Sequence, residues 1–386
     1  MSETSYDHII TGMGCAGLSL AVQMSAAGLT KGKKILLIDR EKKNRNDRTW
    51  CFWEVAPGPF EPIVFRKWSK AQFHSSSHSA LLDLSPYSYK MIRGIDFFSY
   101  CLDIIQQDPA FEIRYEQVDE IGNKNGQAYC VAGDQTYRSD FLFNSILFEK
   151  PTISKGEYYL LQHFKGWVVR SADPVFDTEQ ATLMDFRPSQ KHGTTFVYVM
   201  PFSPTEALIE YTLFTSDLLN DEDYHEGLSN YINNVLGLKN WTIGEEEFGI
   251  IPMTNHRFKR RNGSILNIGT AGGRTKASSG YTFRFIQKDT AAIINSMRKS
   301  GSPFSDTYSY SRFDWYDSVL LNILTHKTLA GDKIFTDLFK NNSSDRILKF
   351  LDNETSVSEE LGILSSLPQL PFMKAGISEI VKKVIS

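Results

Sequence analysis

The sequence of 386 residues lacks several features that would assign it at once to a familiar class of protein. Its four cysteines, Cys15, Cys51, Cys101 and Cys130, show neither CxxC nor zinc-type spacing, which argues against a disulfide framework or a zinc module. No apolar run is long enough to span a bilayer, and no basic-plus-apolar signal peptide is present. We therefore expect a protein of the reducing cytosol.

The chain also has no excess of positive charge, with 42 Lys and Arg against 45 Asp and Glu. The net charge is −3 and the pI is near 6.3, so no large cationic field is available to attract nucleic acid. The eight His residues show no metal-ligand spacing, and the scattered Ser, His and Asp residues accompany no nucleophile turn. We expect neither nucleic acid as the main partner nor a bound metal, and acyl-transfer chemistry is unsupported.

A glycine-rich turn lies between two predicted buried strands near the beginning of the chain. Gly12, Gly14 and Gly17 form GxGxxG between a strand and a helix, and Asp39 ends the next strand. Such glycines let the backbone approach a pyrophosphate, and an acid roughly 20 residues on is suited to a ribose hydroxyl. The βαβ unit therefore predicts dinucleotide binding, with an ordinary tight turn as the alternative for each glycine.

A second glycine-rich turn favours FAD over NAD as the dinucleotide. The stretch GTAGG follows a buried strand far downstream and precedes a predicted helix, and Gly269, Gly272 and Gly273 would allow close approach of a ligand. The N–H groups that open the following helix would stabilise negative charge on a reduced isoalloxazine. A structural helix cap is the alternative.

The pattern of strands and helices predicts an α/β fold with more than one domain. A Rossmann-type FAD-binding domain takes its first part from residues 1–154 and its second part from 259–300. Residues 155–258 alternate as strands and predict a sheet-based substrate domain. Residues 301–386 are mainly helical in pattern, and their last stretch, PFMKAGISEIVKKVIS, is either an interfacial face or a frayed surface helix.

A set of short motifs resembles the bacterial lycopene cyclases of the flavoprotein type. The motifs are DRTWCFW (47–53), YKMIRG (89–94), QHFKGW (162–167), MDFR (184–187), IEYT (209–212), FGIIPMT (248–254) and GTAGGRTKASSGYTF (269–283). The resemblance implies a fold similar to flavin hydroxylases and geranylgeranyl reductases. It also implies bound FAD, active when reduced, with NAD(P)H as the electron source. Lycopene and related polyenes would be the substrates, and β-ionone rings would form with no net redox change.

The same resemblance implies a setting at the inner face of the cell membrane. A long hydrocarbon substrate partitions into bilayers, so a catalyst without a spanning helix must dock at the membrane surface to reach it. We therefore expect a cytoplasmic protein that associates peripherally with the membrane.

Glu210 is the position that matches the catalytic acid of this family. On a strand, Leu208, Glu210, Thr212 and Phe214 share one face, so Glu210 would point among apolar neighbours with Thr212 as a possible partner. Plant members carry a second acid where this chain has Tyr211. The alternative for Glu210 is a half-exposed strand with its carboxylate turned toward water.

Other residues near these motifs are candidates for the site. Trp50, Phe52, Trp53 and Tyr281 would line the substrate pocket and stabilise a cation with their rings, or else belong to the plain core. Arg48 would bind an FAD phosphate or hold a carboxylate in place, with a solvated surface Arg as the alternative.

Glu247 is a possible second acid, but it ends a run of three glutamates, and such a run favours a solvated interpretation. The first rival function is a flavin-dependent reductase or hydroxylase of an isoprenoid. Two observations weigh against a hydroxylase: no Asp-Gly dipeptide occurs, and Thr270 stands where flavin hydroxylases usually place Asp. The second rival is a flavin-binding or carotenoid-carrying protein without catalytic activity.

Overall fold

The computed structural model of the protein describes residues 2–304 and 311–385. The strands in chain order are β1 (Ser2–Thr11), β2 (Ile35–Asp39), β3 (Thr49–Glu54), β4 (Arg66–Trp68), β5 (Lys70–His74), β6 (Ser79–Asp83), β7 (Ser88–Arg93), β8 (Phe111–Tyr115), β9 (Glu120–Lys124), β10 (Gln127–Ala132), β11 (Gln135–Asn144), β12 (Tyr159–Ser171), β13 (Gln180–Asp185), β14 (Thr194–Ser203), β15 (Glu206–Thr215), β16 (Trp241–Thr254), β17 (Arg261–Asn262) and β18 (Ile265–Asn267). The α-helices are α1 (Cys15–Ala26), α2 (Gly94–Gln107), α3 (Asp221–Asn230), α4 (Phe283–Ser300), α5 (Arg312–Thr325), α6 (Gly331–Asn341), α7 (Ser344–Leu351), α8 (Val357–Ser366) and α9 (Gln369–Ile385). A π-helical turn, Tyr231–Val235, follows α3, and 3-10 turns cover Glu61–Ile63 and Gly269–Gly272.

The first sheet contains the N-terminal βαβ unit. β1 pairs in parallel with β2 and β11, and β2 pairs in parallel with β8. All five residues of β2 are buried, because Ile35 and Leu37 face a core built with α1, α2 and α4 while Leu36 and Ile38 face a core built with β10. An apolar run without alternation is the expected pattern for a strand covered on both faces. The predicted Rossmann-type unit is confirmed.

The second sheet has seven strands in the order β16-β12-β15-β14-β13-β5-β6. The alternation predicted for β15 is confirmed, because Leu208 and Phe214 lie in one apolar cluster while Ile209 and Tyr211 lie in another. The second cluster includes residues of α3, which therefore packs against that face of the sheet. The opposite face of β15 looks toward the cavity described below.

Two strands of this sheet come from a part of the chain that the sequence patterns assigned to the cofactor domain. β5 and β6 form a hairpin, and β5 pairs in parallel with β13, more than 100 residues later in the chain. Ala71 and Phe73 of β5 are fully buried in the core beneath the seven-stranded sheet. Local alternation cannot reveal this, because it indicates a strand without indicating its partner.

The helices after residue 311 complete the core of the seven-stranded sheet. Phe339 of α6 stacks on Phe73 at a centroid distance of 4.4 Å, and Phe335 stacks on Phe186 at 5.3 Å. The mainly helical character predicted for residues 301–386 agrees with α5 to α9, although residues 305–310 lie outside the described residues. In the described ranges, no helix has both the length and the apolar character needed to cross a membrane.

This packing predicts that α6 and the sheet unfold together. We expect Phe339→Ala to lower the free energy of unfolding by about 3–5 kcal/mol, because it opens a cavity against Phe73. Urea denaturation followed by circular dichroism and by Trp fluorescence measures the change. Val55→Ala, at a side chain that is 61% exposed, is the control and should change stability by less than about 0.5 kcal/mol. An unaltered sheet transition in Phe339→Ala would contradict joint unfolding.

Candidate active site

Four neighbouring strands, from the edge strand β16 to β14, place one row of residues side by side in the seven-stranded sheet. Glu210 of β15 pairs with Tyr198 of β14 on one side and with Gly166 of β12 on the other, and Gly166 pairs in turn with Glu247 of β16. Residues directly opposite each other in a sheet send their side chains to the same face. Two carboxyl groups therefore lie on one face, separated by a single glycine.

Gly166 leaves the space in which these two side chains approach each other. A Cβ atom at this position would lie 2.9 Å from Cγ of Glu247 and 3.0 Å from Cγ of Glu210. Real Cβ contacts are longer than this, so any larger residue would push the acids apart. The strand register and this glycine together bring Glu210 and Glu247 side by side.

Glu247 corrects the solvated interpretation of the three consecutive glutamates. It is only 7% exposed, whereas Glu245 and Glu246 are exposed. The hydroxyl of Thr49 donates to its Oε2 at 2.9 Å, and its Oε1 has no hydrogen-bond partner within the described residues. Three consecutive charged residues obscure the alternation of β16 in the sequence. Glu247 is buried because the segment around Thr49 packs over it.

Glu210 opens into a cavity of about 530 Å³. Burial is the first cause that raises the pKa of its carboxyl group well above the ordinary value, and the neighbouring Glu247 carboxylate is the second. Burial also raises the pKa of Glu247, but the contact with the Glu210 carboxyl group, the hydrogen bond from Thr49 and the charge of Arg48 counteract it. Glu210 is thus the member of the pair whose protonated form the surroundings favour more.

Aromatic rings make up much of the cavity around Glu210. The aromatic residues that line it are Trp50, Tyr89, Phe164, Tyr198, Phe248, Tyr281 and Phe283. Burial raises the pKa of the Tyr198 and Tyr281 hydroxyls, whose oxygens lie 3.4 Å apart. Thr212 also lines the cavity, but its hydroxyl finds no partner in the described part of the chain, so the predicted pairing with Glu210 is not formed.

Two aromatic residues predicted for the pocket lie behind its lining. Phe52 stacks on Phe283 at 4.3 Å, and Trp53 packs edge-on against Tyr281 at 4.6 Å while its Nε1 donates to the Leu348 carbonyl. Neither borders the cavity. Sequence reasoning cannot rank neighbouring aromatic residues by depth, and for the same reason it missed Tyr89, Tyr198 and Phe164.

The first glycine-rich turn borders another part of the same cavity. Gly12 has φ +90°, and a side chain on Gly17 would collide with the Gly12 carbonyl. Gly14 begins α1 without a side-chain cap, and a Cβ atom there would meet nothing within 4 Å. Because Gly14, Cys15 and Ala16 line the cavity, the unpaired N–H groups of α1 have open space before them. This fits the diphosphate of a dinucleotide.

The second glycine-rich turn packs against the first. Gly269 has φ +59°, and a Cβ atom there would lie 2.8 Å from Cβ of Ala16 in α1. Gly269 borders the cavity, whereas Gly272 and Gly273 do not. Gly272 is packed under the Asn267 carbonyl, and Gly273, with φ +71°, ends the 3-10 turn. Only the first of these three glycines therefore offers its backbone to a ligand in this cavity.

Asp39 and Arg48 are both engaged with protein groups. Asp39 accepts a hydrogen bond from the Met13 backbone N–H at 2.6 Å, and Lys43 lies 3.2 Å from its other oxygen. Arg48 borders the cavity and forms two hydrogen bonds with Asp47, at 3.0 and 2.7 Å. Asp39 thus holds the first glycine-rich turn, and Arg48 pairs with a carboxylate. Contact of either residue with a cofactor stays a prediction.

Within residues 2–304 and 311–385, no group of three or more His, Cys, Asp and Glu side chains is arranged to hold a metal ion.

The comparison with known families assigns the chain. A family model described as "Lycopene cyclase protein" matches residues 7–376. The chain belongs to this family. The resemblance drawn from the sequence motifs is therefore confirmed.

Individual relatives are distant. The chain is 23% identical to a lycopene beta-cyclase of Pantoea ananas, over 97% of each protein. It is 24% identical to the capsanthin/capsorubin synthase of Capsicum annuum over 73% of its own length, and it spans 58% of that plant protein.

Solved structures share the fold. A flavoprotein/dehydrogenase from Cytophaga hutchinsonii has a TM-score of 0.67 at 11% identity, covering 98% of this chain and 100% of its own. A geranylgeranyl bacteriochlorophyll reductase-like protein from Thermoplasma acidophilum has a TM-score of 0.63 at 12% identity, covering 97% and 99%. The predicted similarity of fold to geranylgeranyl reductases is confirmed.

The raised pKa of Glu210 has a consequence for stability. Above the ordinary carboxyl pKa the unfolded chain releases this proton while the folded chain keeps it, so stability falls as pH rises toward the folded pKa. We expect Glu210→Gln to lose less stability between pH 5 and pH 8 than wild type, and to be more stable at pH 8 by about 0.5–2 kcal/mol. Urea titrations at several pH values measure this.

Glu246→Gln is the matched control for this experiment, since it removes an exposed carboxylate from the same sheet. It should follow the wild-type pH dependence within about 0.5 kcal/mol. If Glu210→Gln also ran parallel to wild type, Glu210 would not carry the proton that the structure assigns to it.

Proposed function

We propose that this chain is a lycopene β-cyclase, which closes the ends of lycopene to β-ionone rings without net electron transfer. The observation that carries the proposal is the carboxyl group of Glu210, which opens into a cavity lined by aromatic rings and whose pKa is raised by burial and by the neighbouring Glu247. Membership of the lycopene cyclase family supports the choice of substrate.

The chemistry starts with proton donation from Glu210 to the terminal double bond of the polyene. The resulting tertiary cation is attacked by the electron pair of an internal double bond, and a six-membered ring closes. A ring C–H bond then breaks, its electrons form the new double bond, and the proton returns to the protein. No oxidant or reductant is consumed, so the product is an isomer of the substrate.

The aromatic rings suit a cation that water cannot reach. A cation over a desolvated aromatic face gains about 2 kcal/mol or more, and useful rates require several kcal/mol of such stabilisation. Trp50, Tyr198 and Tyr281 border the cavity and are the side chains we assign to this role. The two tyrosines stay neutral because burial raises the pKa of each hydroxyl.

We also propose that the glycine-rich wall of the cavity holds FAD. Gly12, Gly14 and Gly17 with the first turn of α1 would receive the diphosphate, and Gly269 would lie beside the cofactor. Reduced FAD supplies negative charge next to the cation when bound. NAD(P)H is the electron source that we propose for keeping it reduced. The flavoprotein fold supports this assignment.

The C-terminal helices offer a surface for docking to a bilayer. Large apolar side chains on α8 and α9 are exposed, and we call them the apolar helix face: Val357, Leu361, Leu370, Met373, Ile377, Ile380 and Val381. Glu379 is turned inward, where it accepts a hydrogen bond from Tyr158, while Lys374 is exposed. An apolar face with an exposed cation suits an anionic lipid surface. We propose peripheral association at the cytoplasmic face of the membrane.

Loss of the proton donor should abolish the reaction. We expect Glu210→Gln to retain bound flavin but to lower turnover by about 100-fold or more, the usual contribution of a general acid. The assay uses chemically reduced enzyme and lycopene-loaded vesicles without oxygen, with mass analysis of the product. Glu206→Gln, at the first residue of β15, is the control and should keep wild-type turnover.

A product heavier by hydrogen or oxygen would favour the reductase or hydroxylase instead. Retained turnover in Glu210→Gln would remove the assignment of the proton donor. Absence of turnover in wild type, together with bound polyene, would favour a carrier.

The apolar helix face predicts that the protein binds to anionic membranes. We expect the double variant Met373→Glu and Ile377→Glu to lose co-sedimentation with anionic liposomes, because two carboxylates would have to enter the interface. The control double variant, Val55→Glu and Leu81→Glu, changes exposed apolar residues elsewhere and should bind like wild type. Equal binding of all three proteins would contradict docking through this face.

A further inference from the structure

We propose that Glu247 is a positioning residue that stays ionised and thereby keeps Glu210 protonated for its reaction. The inference rests on the proposed function, in which Glu210 donates the proton. Glu247 does not border the cavity, so it acts on the substrate only through Glu210.

The geometry of the sheet supports this pairing. Glu210 and Glu247 occupy one cross-strand row with Gly166 between them, and the space left by the glycine lets both side chains lean together. A register shift of one residue in either strand would turn one acid to the opposite face. Glu247 lies on the edge strand β16 and Glu210 on β15, and the pairing of β12 with both strands fixes their proximity more firmly than a loop would.

The two acids have different partners, and this difference decides which one carries charge. Thr49 donates a hydrogen bond to Glu247 at 2.9 Å, and a hydrogen bond to the charged form of an acid favours ionisation. Arg48 acts in the same direction on Glu247 and Asp47 opposes it. Glu210 receives no such hydrogen bond from a hydroxyl group of the described residues, and in its contact with Glu247 the protonated Glu210 is the donor.

Apart from the ion pair of Arg48 and Asp47, the titratable groups that face this pair are neutral. They are Cys51, Tyr198 and Tyr281, and burial raises the pKa of each of them. Two adjacent carboxylates in such a poorly hydrated place hold one proton between them, since ionising both would place like charges side by side. The Glu247 charge thus keeps the proton on Glu210 at a pH where an isolated carboxyl group would lose it.

The pair also balances the reaction. When Glu210 gives its proton to the terminal alkene carbon, its carboxylate faces the new cation with the Glu247 carboxylate behind it, and opposite charges attract strongly where water is excluded. After ring closure the ring proton passes to a Glu210 oxygen, which restores the neutral acid beside the Glu247 carboxylate. Donor and acceptor are then the same residue, and no other reactant is required.

Glu247→Gln tests the proposal because it keeps the size of the side chain and removes the charge. We expect the alkaline limb of its pH–rate profile to move to lower pH, so that turnover at pH 8 relative to pH 6 falls about ten-fold below that of wild type. Glu247→Asp keeps the charge and should restore the alkaline limb at least in part. Glu246→Gln is the matched control on the same strand and should leave the profile unchanged.

Infrared difference titration of the protein without substrate provides a readout that does not depend on turnover. The carbonyl band of protonated Glu210 is identified by its absence in Glu210→Gln. In wild type this band should persist at pH 7. As the pH is raised, it should disappear at a lower pH in Glu247→Gln than in wild type. An unshifted band and an unshifted rate profile would overturn the role of Glu247. If the band shifts in Glu247→Gln but wild type does not cyclise lycopene, the effect of Glu247 on Glu210 is supported and the proposed function is rejected.

Discussion

A carboxyl group placed away from bulk water is the constraint around which this structure is organised. Its ionised form is costly in a medium of low dielectric constant, and the cost rises when a second carboxylate lies beside it. Glu210 meets both conditions, because it opens into a cavity between sheets and helices and has Glu247 as its cross-strand neighbour. Because the ionised form of Glu210 is costly, its protonated form is favoured and can donate a proton.

Rigid elements on several sides hold this arrangement. The seven-stranded sheet sets the row of side chains, β3 covers it through Thr49, and the helices after residue 311 fill the core beneath it. The N-terminus of α1 and the turn at Gly269 form a wall built by the first sheet. The cavity therefore exists only where both parts of the chain meet, which explains why its lining is drawn from so many separate segments.

The second acid illustrates how sheet geometry constrains chemistry. In plant members of the family an acid stands where this chain has Tyr211, directly after Glu210. Consecutive residues on a strand face opposite sides, and Tyr211 packs with the residues of α3 on the far side of the sheet. A carboxylate that influences Glu210 must instead come from a neighbouring strand in the same row. Glu247 satisfies this requirement through Gly166.

The sequence alone determined what depends on short-range pattern. The glycine-rich turn of the βαβ unit, the alternation of Leu208 to Phe214 and each of the family motifs are formed by residues close together in the sequence, where periodicity and turn chemistry can be recognised. They predicted the fold class and brought attention to Glu210. Tertiary structure alone decided which strands pair and which side chains are covered. It buried Glu247, joined β5 to a strand far along the chain, and moved Phe52 and Trp53 behind the lining, because pairing and depth arise from contacts between distant segments.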